Sequence, residues 1–360
     1  MRVGNTNTLD LPKCPARRVA LLWRLTFLLA LPLMLLSSCV ISDTGEGPEL
    51  GDWQPTQWFV DQRVWHSACV YGGVIYVLGG NGTSGLLDDV QYAGINAYGA
   101  VLPWSSTAPF STPRFGHASV VANGYIYVIG GETFSATLDG VRYGLIQADG
   151  TVQSWKTESD YPLPVARSKH ASFVYGSKLF VAGGWDGVAP LADVRRAPVS
   201  AVDGSVSSDW TLSNLARPLS PPRHSHTSVV HNGFLYVVGG DDGDGPLDTA
   251  QYAPISPGGQ LSGDWADATP LPDPRAGHAS FVHNGHLYVL GGTSASGVYE
   301  DDVFYAKING DGSLGSWSST TPLKSAREGL AAVNYGISVY VLGGRGTSTR
   351  SNDVWYAQFQ

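Results

Sequence analysis

Residues 114–131 read RFGHASVVANGYIYVIGG, and the frame they set recurs along the chain. The Gly130-Gly131 pair has counterparts at Gly79-Gly80, Gly183-Gly184, Gly239-Gly240, Gly291-Gly292 and Gly343-Gly344, at spacings of 51, 53, 56, 52 and 52 residues. Thirteen residues before each first glycine stand His66, His117, His170, His226 and His278, with Leu330 in the sixth repeat. Three residues earlier come Arg63, Arg114, Arg167, Arg223, Arg275 and Arg327. An aromatic precedes each pair (Tyr76, Tyr127, Phe180, Tyr236, Tyr288, Tyr340), and an aspartate follows eight to ten residues after it (Asp89, Asp139, Asp193, Asp248, Asp302, Asp353). Self-similarity at a period near 50 implies a solenoid, a propeller or an array.

Within one period the local signals are those of strands. Asn123-Gly124 lies between two apolar runs, the strongest short-range hairpin signal, and Asn232-Gly233 and Asn284-Gly285 repeat it. The run before each Gly-Gly pair is apolar at consecutive positions, so that strand needs cover on both faces. A third strand begins at the aspartate. Asp149-Gly150, Asp203-Gly204 and Asp311-Gly312 then turn the chain into a fourth strand, expected to end near Trp155, Trp210 and Trp317. Trp53 precedes Arg63 and His66 by the offsets that relate Trp104 to Arg114 and His117. Glu49 to Trp53 therefore reads as a fourth strand with no first three, and Asp353 to Phe359 as a third strand with no fourth. The ends should complete one blade together, giving an all-β, six-bladed propeller over 49–360 with four antiparallel strands per blade and no open sheet edge.

In combination, Arg-x-x-His-Ala-Ser, Tyr-Val-x-Gly-Gly, Asp-Val-x-x-Tyr and the trailing tryptophan resemble the motifs of the kelch-repeat family across essentially all of 49–360. The resemblance implies that residues just after Gly-Gly, and those before the first strand, line one mouth of a central channel.

The first 38 residues read as a targeting segment: a basic region at Arg17, Arg18 and Arg24, an apolar run from Leu25 to Leu36, and Ser37-Ser38 before Cys39. The run is short for a permanent span, which needs about 20 residues. Leu36-Ser37-Ser38-Cys39 resembles the lipobox of bacterial lipoproteins, which implies lipidation at Cys39, a flexible tether over 39–48 and a body facing outside the cytoplasm. Removing residues 1–38 takes away five basic residues and one acid, leaving 17 against 29, a net of −12. Such a body is a poor partner for nucleic acid. Cys69 is the only cysteine of the body, at a position where the other repeats carry Val or Phe, so it reads as a small core residue. No cofactor is expected, and a monomer is.

Candidate site residues come from where the repeats differ. The position after Gly-Gly holds Asn81, Glu132, Trp185, Asp241, Thr293 and Arg345, six residue types suited to an asymmetric ligand. The six repeat arginines, Arg63, Arg114, Arg167, Arg223, Arg275 and Arg327, have two readings: pairing with the repeated aspartates as scaffold, or a carboxylate pocket using two or three of them. The histidines read as buried. Glu328, where the other repeats carry Val64, Phe115, Ser168, His224 and Ala276, and Glu132 are the candidates for an acid or base. No metal is expected, the weak calcium candidate being Asp241, Asp242 and Asp244 in an acidic turn. The leading expectation is a non-catalytic, lipid-anchored propeller that binds a carbohydrate, peptide or protein at the channel mouth. The alternative is an enzyme resembling sialic acid mutarotases. A copper radical oxidase like galactose oxidase fits worst, because Cys69 sits at an apolar strand position.

Overall fold

The computed structural model describes residues 48–213, 218–347 and 349–360. The signal segment, Cys39 and most of the tether lie outside these residues. Among the described residues there are strands and turns and no helix.

Each repeat contributes a first strand (Ser67–Tyr71, Ala118–Ala122, Ala171–Val174, Thr227–His231, Ala279–His283, Ala331–Tyr335) paired antiparallel with a second (Val74–Gly82, Tyr125–Ile129, Lys178–Ala182, Phe234–Val238, His286–Leu290, Ser338–Arg345). Third strands follow (Gly85–Gly94, Val141–Leu145, Val194–Pro198, Ala250–Pro254, Val303–Ile308, Arg350–Gln358), then short fourth strands. The middle four repeats form separate four-stranded sheets. In the first and last, Arg63–Val64 pairs with both Arg350–Gln358 and Val74–Gly82, and this bridge joins their strands into one nine-stranded sheet.

Asn123 (φ +50°) and Gly124 (φ +79°) show why the hairpin needs that dipeptide: both central residues are left-handed, a conformation that Asn and Gly reach at least cost. The consecutive apolar run that follows is buried on both faces. Ile126 and Val128 pack with Tyr76 and Leu78 of the repeat before, and Tyr127 and Ile129 with Leu179 and Val181 of the repeat after. Each of these side chains gains about 1.5–3 kcal/mol from burial.

The first strands neighbour one another in an unbroken cycle, with Ala331–Tyr335 returning to Ser67–Tyr71. Residues 50–55 meet the C-terminal strand, as the tryptophan offsets predicted. Gln54–Pro55 pairs with Arg350–Gln358, Leu50 bridges Phe359, and Gly51 N–H donates to the Gln358 carbonyl at 2.9 Å. The fourth strands, however, begin just after most of the tryptophans, at Ser105–Thr107, Lys156–Glu158, Thr211–Leu212 and Ala266–Asp267, and only Leu314–Ser319 contains one, Trp317. The tryptophans act instead as staples across repeats: Trp104 Nε1 donates to the Gln57 carbonyl, Trp155 to Ala108, Trp210 to Tyr161, Trp317 to Thr269 and Trp53 to Thr321.

A second set of staples runs from the aromatic before Gly-Gly. The hydroxyls of Tyr76, Tyr127 and Tyr236 donate to the carbonyls of Gly150, Gly204 and Gly312 in the next repeat, Tyr288 donates to Pro48, and Tyr340 to Gly99. Phe180 has no hydroxyl. There Arg196 Nη1 reaches the equivalent Gly259 carbonyl at 2.8 Å, so the acceptor stays satisfied.

Candidate functional site

The Gly-Gly pair and the residues opposite it build one end of the channel. In every pair both glycines have positive φ, and all except Gly291 and Gly344 face a histidine at a distance no side chain could share. A Cβ on Gly130 would stand 2.9 Å from His170 Cε1 and 2.5 Å from the Arg167 carbonyl of the next repeat, and one on Gly131 2.8 Å from His117 Cβ of its own. The imidazoles are 5–7% exposed. Burial, with the adjacent arginine, pushes His117, His170 and His278 down to about 3 and holds His66 and His226 well below their usual range. In the sixth repeat Leu330 fills the same place against Gly291 and Gly344.

The six arginines are interior, at 0–3% exposure, and so are withdrawn as mouth ligands. Each donates Nη1 to the carbonyl of the first glycine of its own repeat at 2.8–3.1 Å. Arg63, Arg167 and Arg327 add two-pronged bonds to Asp89, Asp193 and Asp353, and Arg275 reaches Asp302 at 3.4 Å. The expectation of one aspartate per arginine fails in repeats two and four. Asp139 and Asp248 stand one residue too early, and Gly140 and Thr249 occupy the pairing position.

The variable residues share one backbone setting. Each residue after Gly-Gly bridges the residue two before the histidine position: Asn81 with Val64, Glu132 with Phe115, Trp185 with Ser168, Asp241 with His224, Thr293 with Ala276, and Arg345 with Glu328. Between that residue and the histidine, sequence reasoning missed a ring. Trp65, Gly116, Lys169, Ser225, Gly277 and Gly329 all have φ between +51° and +63°. Their peptide groups are linked head to tail, each N–H donating to the ring carbonyl of the repeat before at 2.6–2.9 Å, with Trp65 closing onto Gly329. The cycle lines a throat cavity of about 90 Å³.

Glycine takes this conformation freely; a side chain there costs of order 1–2 kcal/mol. Three glycines make room for the other side chains. A Cβ on Gly277 would fall 2.8 Å from Trp65 Cη2, one on Gly329 3.1 Å from Trp65 Cδ2, and one on Gly116 3.2 Å from Lys169 Cγ. Lys169 Nζ lies 3.2 Å from Glu132 Oε1, 5.8 Å from the Trp65 ring and 5.9 Å from the Phe115 ring, a cation held by one carboxylate and two aromatics.

Beside it His224 is held by Ser225 Oγ at 2.9 Å, by Asp241 at 3.6 Å and edge-on by Trp185 at 5.3 Å between ring centroids. Burial lowers its pKa, and Asp241 opposes the shift. Glu328 gives one carboxylate oxygen to Arg345 and the other to Thr293 Oγ1, the latter at 2.8 Å, while Arg345 lies over Tyr299. Asn81 accepts from Arg350 at 3.3 Å. The loops after Glu132 and Trp185 flank a groove of about 360 Å³ and leave Phe134 and Val188 74% and 84% exposed.

Two of the three calcium candidates are engaged by their own turn: Asp241 Oδ1 accepts from Gly243 N–H and Asp242 Oδ1 from Asp244 N–H. Among the described residues no three His, Cys, Asp or Glu side chains converge to hold a metal. Cys69 is buried, its thiol pushed up to about 12 by burial.

A family model described as the KLHDC2/KLHL20/DRC7 Kelch-repeats domain matches residues 65–256, and a Kelch motif model matches 274–305. Kelch domain-containing protein 3 of Bos taurus is 26% identical over 254 residues, 65% of each chain. Beta-scruin of Limulus polyphemus is 29% identical over 201 residues, which are 53% of this chain and 20% of that one. The chain thus spans less than two thirds of the length of these relatives. The solved structure of YjhT aligns with a TM-score of 0.65 at 15% identity, covering 85% of this chain and 95% of that one, a likeness of fold. With one family model matching more than half of it, the chain belongs to the kelch-repeat family.

Proposed function

We propose that this kelch chain is a six-bladed propeller, closed by its N-terminal strand and anchored outside the cytoplasm by a lipid on Cys39, that binds a carbohydrate, peptide or protein ligand at the channel mouth without transforming it. The head-to-tail cycle of six peptide groups and the pairing of Gln54–Pro55 with Arg350–Gln358 support six blades. The lipobox-like Leu36 to Cys39 supports the anchor.

The observation that carries the binding reading is the throat ring. Trp65, Lys169 and Ser225 hold a left-handed backbone at places where glycine serves three other repeats. Their side chains, with Glu132, Trp185 and His224, make an asymmetric surface of charge and aromatic faces. Side chains kept in a costly conformation on an otherwise regular scaffold are a mark of function. The experiment is a screen of residues 40–360 on glycan, sugar-acid and peptide arrays. Saturable binding that Lys169→Ala and Trp185→Ala each weaken at least tenfold is expected, and binding indifferent to both variants refutes the site.

A second reading, sugar mutarotation, is favoured by Glu328, an 8% exposed carboxylate at the mouth. Both of its oxygens are engaged, and Glu132 is paired with Lys169, so a substrate would have to displace a partner before either could move a proton. Acceleration of anomer exchange in sialic acid, followed by NMR and lost in Glu328→Gln, would replace the binding reading.

A further inference from the structure

The third strands expose a difference among the repeats that the mouth does not use. The arginine-pairing position is Asp89, Gly140, Asp193, Thr249, Asp302 or Asp353, and two residues on stand Gln91, Arg142, Arg195, Gln251, Phe304 and Trp355. In repeats one, three and six the aspartate is clasped from two sides. The repeat arginine binds it through two nitrogens, and Gln91 Nε2, Arg195 Nε or Trp355 Nε1 donates to the same carboxylate.

Repeat two keeps both donors and lacks the acceptor. Arg114, 1% exposed, places Nη1 on the Gly130 carbonyl and Nε on the Thr112 carbonyl, and Nη2 has no hydrogen-bond partner among the described residues. The buried Nε of Arg142 has none either. A Cβ on Gly140 would stand 3.1 Å from Arg142 Nη1, so this guanidinium borders the place of the missing side chain. Asp139 is exposed and forms no ion pair with either arginine, although its charge favours the charged form of Arg142. Repeat four also lacks the aspartate but is closed: Arg223 donates to the carbonyls of Gly239, Thr249 and Ser220, and the neighbour is the neutral Gln251. Burial and the charge of Arg142 lower the Arg114 guanidinium to about 10, as a cation without a counter-ion requires. The position is reachable, since the side chains of Asp89 and Asp193 are 31% and 19% exposed.

We propose that Arg114 and Arg142 form a carboxylate-binding site, in which a carboxylate from outside the chain takes the place that Asp89, Asp193 and Asp353 fill in their own repeats. The site stands independently of the mouth reading. A free small acid and an acidic side chain offer the same two oxygens to the paired guanidiniums.

The test uses the purified protein, with sodium acetate and a blocked Ala-Asp-Ala tripeptide as probes and sodium chloride at equal ionic strength as control. Acetate or the tripeptide should raise the melting temperature saturably, by about 2 °C or more, beyond chloride. Response to acetate alone assigns a free acid, and response to the tripeptide alone assigns an acidic side chain. Arg142→Gln, the residue of repeats one and four, should abolish the response. Gly140→Asp should raise the melting temperature without any probe and also abolish the response. The position needs no positive φ, so the backbone accepts the substitution. No response beyond chloride, an undiminished response in Gly140→Asp, or a lowered melting temperature in that variant overturns the site.

Discussion

Gly131 and Glu132 are consecutive in the chain, and what surrounds them differs in kind. Gly131 (φ +95°) is pressed against His117 Cβ and the Phe115 carbonyl, as Gly184, Gly240, Gly292 and Gly344 are pressed against the residues at those places, and Gly80 against His66. Glu132 bridges Phe115 through its backbone and turns its carboxylate to Lys169, a partner found in one repeat only. The first environment repeats around the channel because backbone clearance dictates it. The second does not, because side chains at the mouth answer to no common neighbour. A single peptide bond thus separates the part that makes the fold from the part that can carry function.

The largest effect expected from the repeated part is its response to acid. Five histidines are neutral in the folded protein, with pKa values lowered to about 3 for His117, His170 and His278. Between about pH 6.5 and that value the unfolded chain binds more protons, so stability falls as pH falls. At pH 5 His117, His170 and His278 each contribute about 2 kcal/mol of destabilisation, and His66 and His226 act in the same direction. Asp193 and Asp353 have depressed values, so the stability they add is present above the unfolded carboxylate range and is lost only as pH falls through the lower folded values. The molecule should therefore lose cooperative structure near pH 5, well before its carboxylates titrate. His170→Leu, built on Leu330 of the sixth repeat, should flatten the stability slope over pH 5–6.5. An unchanged slope, measured by urea unfolding at several pH values, removes the histidines from the account.

A smaller effect contrasts the two neighbours themselves. Gly131→Ala places a Cβ 2.8 Å from His117 Cβ and 3.0 Å from the Phe115 carbonyl at φ +95° and should cost about 3 kcal/mol or more. Glu132→Ala removes a partly exposed ion pair and should cost at most about 1 kcal/mol. Comparable urea midpoints for the two variants would dissolve the distinction.

The repeated part was legible in the sequence because each constraint acts five or six times. The glycines, arginines, histidines and tryptophan offsets all mark positions where backbone geometry or burial leaves little choice. The mouth was legible only in outline. The residues after Gly-Gly were singled out by their variety, but Trp65, Lys169 and Ser225 were passed over, since they stand beside an apparently structural histidine. Their signal was glycine itself: a repeat position that is Gly in three copies and Trp, Lys or Ser in the others marks a left-handed backbone. The one-residue displacement of Asp139 and Asp248 was hidden because either spacing is compatible with a strand. Only the register, Val141 against Ile129 and Ala250 against Val238, shows that Gly140 and Thr249 face the arginines.

The most direct test measures binding and stability on one protein, the double variant Lys169→Ala/Trp185→Ala. The account predicts that it melts within about 2 °C of the parent and loses at least tenfold in affinity for whatever glycan or peptide the array screen identifies. Retained affinity, or affinity and melting temperature falling together, would contradict the separation of scaffold from site.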